Sequence, residues 1–200
     1  MSDLFHDKAA DWDRQPVPLQ ISQGVSTAIV ERVPLSSDLS VMDFGAGTGL
    51  LSGRLASRVG RLVAVDVSPA MLAQLAAKPE LAGRVEVRAV DLLAAPLAER
   101  FDLIVSAMAM HHVEDTAALL RSLRAHLAPG GQIALADLDA EDGSFHPPGV
   151  EGVFHAGFER AALGAAIEAA GFSAPRFTTA CVVHRDGREY PVFLVTASAA

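Results

Sequence analysis

Cysteine is almost missing from this chain: Cys181 stands alone among 200 residues. One thiol builds neither an internal disulfide framework nor a cysteine-rich metal site, and a strand in the core is its expected place. Positive charge is also in short supply. Sixteen Lys and Arg face 24 Asp and Glu, a formal net charge of −8, and the arginines are scattered. That balance argues against tight binding to nucleic-acid phosphates or anionic membranes. Long apolar runs are lacking too, and none reaches the roughly 20 residues of a membrane span. The start, Met-Ser-Asp-Leu-Phe-His-Asp, has neither the basic nor the apolar region of a signal peptide, so a cytoplasmic location is expected. Repeats and low-complexity segments are absent. Half the residues are hydrophobic, enough for a sizeable core in one domain over residues 1–200.

The most informative stretch is Val41-Met-Asp43-Phe-Gly45-Ala46-Gly47-Thr-Gly49. An apolar strand ends in an acid, then D-x-G-x-G-x-G runs into the helix that starts at Leu50. Glycines there allow a tight turn and let a ligand lie on the main chain, and free N–H groups at the helix start favour anions. A dinucleotide site would read G-x-G-x-x-G. Here the third glycine comes one residue early and Leu50 stands in the sixth place.

Along the chain, the polar residues 1–18, with Trp12, Pro16 and Pro18, read as a short helix or arm followed by a break. Apolar residues at 21, 25, 28, 29 and 33 mark a helix over Leu19–Val33, stopped by Pro34. Strands are predicted at Leu39–Phe44, Arg61–Asp66, Arg84–Val90, Phe101–Ser106 and Gln132–Asp137, alternating with helices. One helix starts with Ser68 and Pro69, another spans Glu114–Leu127 and closes at Pro129-Gly130-Gly131, and a third spans Phe158–Ala170 and stops at Gly171. Residues 138–157 form an irregular loop over the site. Two β-rich runs, Phe177–Val183 and Glu189–Val195, flank Asp186-Gly187, a hairpin signal. The result is an α/β fold: a mostly parallel sheet with an antiparallel C-terminal edge strand and helices on both faces.

In open α/β sheets ligands sit beyond the carboxyl ends of the strands, which selects Asp43–Gly49, Asp66, Asp91 and Ser106–His112 as one rim. Asp66 ends the second strand, where a carboxylate suits both hydroxyls of a ribose. The competing role, capping the next helix, is already filled by Ser68. Asp43 either orients the glycine turn or approaches a cationic ligand end.

Four signals in order, D-F-G-A-G-T-G, V-D-V-S-P-A-M-L, the Asp91 turn, and F-D-L-I-V-S followed by L-A-P-G-G, resemble the class I S-adenosylmethionine-dependent methyltransferases. The resemblance is greatest to the small-molecule type, methyltransferase type 11, which includes quinone-biosynthesis enzymes. It implies a Rossmann-like, seven-stranded sheet, S-adenosyl-L-methionine as cofactor and S-adenosyl-L-homocysteine as product. It implies further that Asp91 accepts from the adenine amine, that Leu92 contributes backbone, and that Val67 and Met71 pack on the adenine face. Met71 on its own, at helical spacing, reads as a core residue. The segment Phe5-His-Asp-Lys-Ala-Ala-Asp-Trp12 is similar to the lid helix of that group, which would place Trp12 near the cofactor; a plain packing role is the alternative.

His111 and His112 follow the fourth strand, where the family often carries such a pair facing the methyl group. An imidazole can take a proton from an attacking hydroxyl, thiol or amine, or can merely hold the loop backbone. Asp137, Asp139, His146 and His155 lie in or near the loop after the fifth strand, as candidates to orient the acceptor. Their spacing with His111 matches no recognised metal-ligand set, and a polar lid is the reading adopted. Met108, Met110, Phe145, Phe154 and Phe158 would form apolar walls, and His6, His126 and His184 are read as surface or strand-end residues. The expected reaction is methyl transfer to a small molecule by a monomer or homodimer that binds no nucleic acid. An NAD(P)-dependent oxidoreductase and a non-catalytic S-adenosylmethionine-binding module are the alternatives.

Overall fold

A computed structural model describes residues 3–200, so the first two residues of the predicted arm lie outside the described part. Seven strands form one sheet in the order β3-β2-β1-β4-β5-β7-β6. They are β1 (Ser40–Phe44), β2 (Arg61–Asp66), β3 (Val85–Ala89), β4 (Phe101–Ala107), β5 (Leu127–Leu138), β6 (Phe172–Arg185) and β7 (Arg188–Ala199). Strands β1 to β5 pair in parallel, whereas β7 runs antiparallel to both β5 and β6. The sequence places the antiparallel strand at the edge; it sits one place in, with β6 outside it. The order of β1 and β4, neighbours at the centre, reverses the direction of sheet growth and makes their carboxyl ends the switch point.

Alternation along the strands sends side chains to two cores. Val41, Leu62, Leu103 and Val105 pack with Val25 and Ile29 of α1 (Pro16–Arg32), Leu51 and Leu55 of α2 (Leu50–Leu55), and Leu72 and Leu75 of α3 (Pro69–Ala76). Met42, Val63, Ile104, Ile133 and Phe193 pack on the other face with Leu119 and Leu123 of α4 (Thr116–Ala125) and Leu163 and Ile167 of α5 (Arg160–Ala169). Burial of such side chains, each stabilising by about 1.5–3 kcal/mol, holds the strand ends in register.

Pro16 and Pro18 do not break the chain before a helix; they open one. Pro16 is the first residue of α1, where its missing N–H costs no bond and its fixed φ suits the turn. Ahead of it, His6–Arg14 is a 3-10 helix. Ser68 caps α3 as its sequence implies, its Oγ accepting from the Met71 N–H at 3.2 Å, and Asp115 does the same for α4 through Ala118 at 2.7 Å. Strand β5 starts five residues before the predicted Gln132, because Leu127 already pairs with Phe101 and the Pro-Gly-Gly excursion is a register shift inside the strand. The β6–β7 turn has Asp186 and Gly187 at φ 51° and 74°, the left-handed pair that a tight hairpin needs.

Candidate active site

Three loops meet at the carboxyl ends of β1, β2 and β4. Gly45, Gly47 and Gly49 all take left-handed φ, at 68°, 56° and 80°. They serve different ends. A Cβ on Gly45 would lie 2.2 Å from Cβ of Ala109, and one on Gly49 would lie 2.6 Å from Leu75, so these two glycines let neighbouring segments close in. A Cβ on Gly47 would meet nothing within 4 Å, so here the turn leaves its main chain open to a ligand. Ala46 between them is buried in the α1–α3 core.

Asp66 holds this turn. Its Oδ2 accepts from the Gly47 N–H at 2.7 Å and its Oδ1 from the Ser68 N–H at 2.8 Å. The capping role that Ser68 was expected to fill alone is therefore shared. A carboxylate has about four acceptor positions, so two remain for a diol. Burial raises the pKa of Asp66 above the usual range despite those backbone donors. Val67, next to it, is 64% exposed, an apolar face left uncovered at the rim. Asp91 is exposed, with Oδ1 accepting from the Leu93 N–H at 2.9 Å. Leu92, Met71 and Ser106 are buried: Leu92 and Met71 turn their side chains into the protein, and Ser106 Oγ donates to the Phe44 carbonyl at 2.7 Å, tying β4 to β1.

Asp43 lies under the turn, 1% exposed, and accepts from Ser52 Oγ of α2 at 2.7 Å. Burial pushes its carboxyl up to about 7, with the neighbouring Asp66 charge acting in the same direction. Two raised acids beneath an open turn favour a ligand bearing positive charge.

His111 stands in a short 3-10 turn, Met110–His112, and is 1% exposed. Its ring Nδ1 lies 2.7 Å from Asp137 Oδ1, and its own N–H donates to Asp137 Oδ2 at 3.2 Å. The carboxylate only accepts, so the Nδ1 carries the proton and Nε2 presents a lone pair. That Nε2 is buried without a protein partner. Asp137, expected at the acceptor, is instead the group that orients His111. The parallel pairing of β4 with β5, Ala107 opposite Ala136, brings the residues that follow each strand together.

His112 Nδ1 lies 2.6 Å from the Gly152 carbonyl, to which it donates. Burial, with the His111 ring beside it, pushes its pKa down to about 4. His146 reaches the same cluster, its ring centroid 5.1 Å from that of His111, its Nε2 buried and unpartnered, its pKa also down to about 4 through burial. His155 does not join them. Its Nε2 faces the carbonyls of Val113 and Glu114 and the Thr116 hydroxyl, beside the start of α4. Asp139 is spent on a bidentate pair with Arg160, at 2.7 and 2.8 Å. Among the described residues no three His, Cys, Asp or Glu side chains are grouped to hold a metal ion.

Of the expected apolar walls, Met110 is core and Phe158 packs on the α4–α5 side, whereas Phe145 borders His146 and Phe154 is exposed. Met108 takes φ 59°, a strained value for a side-chain-bearing residue, at the end of β4. His126 is not at the surface. It is buried, Nδ1 donating to the Ser122 carbonyl and Nε2 accepting from the Leu97 N–H.

The arm supplies contacts that sequence reasoning did not find. Asp13 accepts from Thr48 of the glycine turn and pairs with Lys78, Asp3 accepts from Ser68 Oγ and the Ala70 N–H, and Phe5 sets its ring edge against His112. Trp12 packs on Phe5, centroids 6.2 Å apart. No sequence motif marks Asp13 or Asp3; only the docking of the arm gives them partners.

Residues 41–131 match the family described as a methyltransferase domain. An uncharacterized methyltransferase of Mycobacterium tuberculosis is 38% identical over 104 residues, 52% of this chain and 52% of its own length. A ubiquinone biosynthesis O-methyltransferase of Azotobacter vinelandii is 30% identical over 134 residues, 64% of this chain and 57% of that one. The chain thus spans about half the length of the curated relatives it matches. In fold it is similar to a chain of the complex between the Haloferax volcanii Trm112 methyltransferase activator and a methyltransferase, with TM-score 0.81, 19% identity and coverage of 100% and 99%. It is also similar to the N-methyltransferase NodS of Bradyrhizobium japonicum bound to S-adenosyl-L-homocysteine, with TM-score 0.74, 19% identity and coverage of 98% and 94%. These matches favour the methyltransferase expectation over the oxidoreductase. Over residues 41–131, where the open Gly47, Asp66 with its two backbone donors and the bare Val67 share one rim, the chain carries a methyltransferase domain.

Proposed function

We propose that this chain transfers a methyl group from S-adenosyl-L-methionine to a small-molecule acceptor, with His111 as the base. The observation that carries the reading is the His111 ring itself, fixed through Nδ1 by Asp137 and left with a buried, unpartnered Nε2, two residues after Ala109, which packs against Gly45 of the glycine turn. A buried lone pair without a partner costs about 1–3 kcal/mol, which an acceptor O–H, N–H or S–H offsets by donating to it.

When bound, the cofactor supplies an electrophilic methyl on a positively charged sulfur. The protein's part is to hold, align and deprotonate. Asp66 takes the ribose hydroxyls and Asp91 the adenine amine, with the Leu92 main chain and the Val67 side chain alongside. Gly45 to Gly49 receive the amino-acid end, and Asp43 faces its positive charge. His111 Nε2 accepts the acceptor's proton, the Asp137 carboxylate stabilises the imidazolium, and the proton later passes to solvent. The arm, with Trp12, and the 138–157 loop, with His146, exclude water from the aligned groups. Alignment alone can contribute up to ~7–11 kcal/mol of barrier lowering.

The acidic composition and the ubiquinone O-methyltransferase relative support a small acceptor rather than nucleic acid. Among the described residues no helix is long and apolar enough to cross a membrane. A cytoplasmic monomer or homodimer fits this reading. Incubation with methyl-labelled cofactor and a panel of phenols, amines and thiols tests it: label transfer to an acceptor is expected, and tight cofactor binding without any transfer would favour the binding-module alternative.

A further inference from the structure

Two segments cover the His cluster, and both touch the His112 side chain. The loop after β5 is anchored twice. Its first half hangs on the β6–β7 hairpin, where Ser144 Oγ meets the Tyr190 hydroxyl at 2.8 Å, Arg185 donates to the Phe145 carbonyl at 2.7 Å and Arg188 pairs with Asp142. Its second half depends on the site: the Phe154 N–H donates to the His111 carbonyl at 2.9 Å, and the Gly152 carbonyl accepts from His112 Nδ1 at 2.6 Å. The arm comes from the opposite end of the chain. Phe5 sets its ring edge on His112, centroids 5.2 Å apart and planes at 87°, and Leu4 sits where a Cβ on Gly152 would lie, 2.6 Å from its Cδ1. The same arm reaches the glycine turn through Asp13 and Thr48.

We infer that His112 is a positioning residue that couples the two covers, so that seating the 138–157 loop favours closure of the arm over the glycine turn. One face of the ring belongs to the arm and one nitrogen to the loop. Losing either contact loosens the other segment. Coupling is reciprocal, so an acceptor that orders the loop slows cofactor release to the same degree that bound cofactor tightens the acceptor. This consequence rests on the reading of the glycine turn as the cofactor site and of the loop as the acceptor cover. The coupling itself does not, because it belongs to the ligand-free chain.

Two substitutions separate the contacts. His112→Phe keeps an aromatic face for Phe5 and removes the donor to Gly152. His112→Asn keeps an N–H donor near the Nδ1 position and removes the aromatic face. Trp12, the one tryptophan in the chain, reports arm position by its fluorescence, and amide exchange at Phe154 reports the loop, with Ile133 in β5 as the control for global opening. In the otherwise natural chain, Phe5→Ala is expected to shift Trp12 emission and to speed Phe154 exchange about tenfold, with Ile133 unmoved. In His112→Asn the same Phe5→Ala change should leave Phe154 exchange unaltered. In His112→Phe, Phe154 should exchange fast whether or not Phe5 is present. Release of Trp12 by Phe5→Ala with unchanged Phe154 exchange would overturn the coupling, as would an equal effect of Phe5→Ala in His112→Asn. Failure of S-adenosylhomocysteine to bind would instead count against the proposed function, since every readout here is taken on the free protein.

Discussion

At the scale of single residues, the two imidazoles of the 111–112 pair have different work despite being adjacent. His111 has its proton on Nδ1 toward Asp137 and a lone pair on Nε2; His112 spends its Nδ1–H on a loop carbonyl. His111→Ala is accordingly expected to lower turnover about a hundred- to ten-thousandfold while S-adenosylhomocysteine affinity stays within about twofold. Equal loss of both, read by calorimetry beside kinetics, would contradict the assignment. Asp137→Asn should lose most of the same turnover, because a neutral amide neither fixes the ring tautomer nor stabilises an imidazolium. Asp43 gives a second test. Its carboxyl, raised to about 7, is partly protonated at neutral pH, and a cationic ligand end draws the ionised form. Cofactor binding near pH 7 should therefore release a fraction of a proton, seen as a buffer-dependent binding enthalpy that is abolished in Asp43→Asn. The place of Asp43 beneath the glycine turn could be inferred from D-F-G-A-G-T-G. The assignment of Asp137 to His111 could not, because it depends on which strands are neighbours.

At the scale of elements, the glycine turn and the two covers differ in what they tolerate. Gly45→Ala forces a Cβ into Ala109 at a φ of 68° and should destabilise the free protein by about 1–3 kcal/mol. Gly47→Ala adds a Cβ with nothing in its way, so its main effect should be on ligand affinity, with denaturant midpoint and affinity measured side by side. The His cluster under the covers carries the acid sensitivity. The folded pKa values of His112 and His146, about 4, lie below the ordinary imidazole value of 6.5, so the unfolded chain binds more protons between those limits. Stability then rises with pH through that window and falls on acidification from about 6.5 to about 4. The joint variant His112→Asn with His146→Asn should flatten that part of the stability curve. Strand positions were legible because apolar alternation and turn residues are local. The start of α1 was not, since Pro16 and Pro18 break a chain or begin a helix according to which side folds.

At the scale of the whole molecule, the order β3-β2-β1-β4-β5-β7-β6 gathers the carboxyl ends of the parallel strands β1 to β5 along one rim, and the groups assigned to the reaction sit there or on a cover above it. The sequence read the parallel majority and the C-terminal hairpin correctly, because helices between strands and Asp186-Gly187 each have a local signature. It misplaced the outermost strand, since insertion of β7 between β5 and β6 is decided by burial: Phe193 and Val195 of β7 are fully buried, whereas most of β6 is not. The arm was recognised but its partners were not, as docking joins residues far apart in the chain. Cofactor at about a hundred times its Kd should stabilise the fold by about 2.7 kcal/mol and raise the Tm by about 5–10 °C.

The most direct test is a calorimetric titration of the purified protein with S-adenosylmethionine, S-adenosylhomocysteine and NADH in parallel, repeated with Asp66→Ala. Binding of both adenosyl ligands, no heat from NADH and loss of the signal in Asp66→Ala are the results expected. Heat from NADH with the adenosyl ligands silent would contradict the account and return the glycine turn to the oxidoreductases.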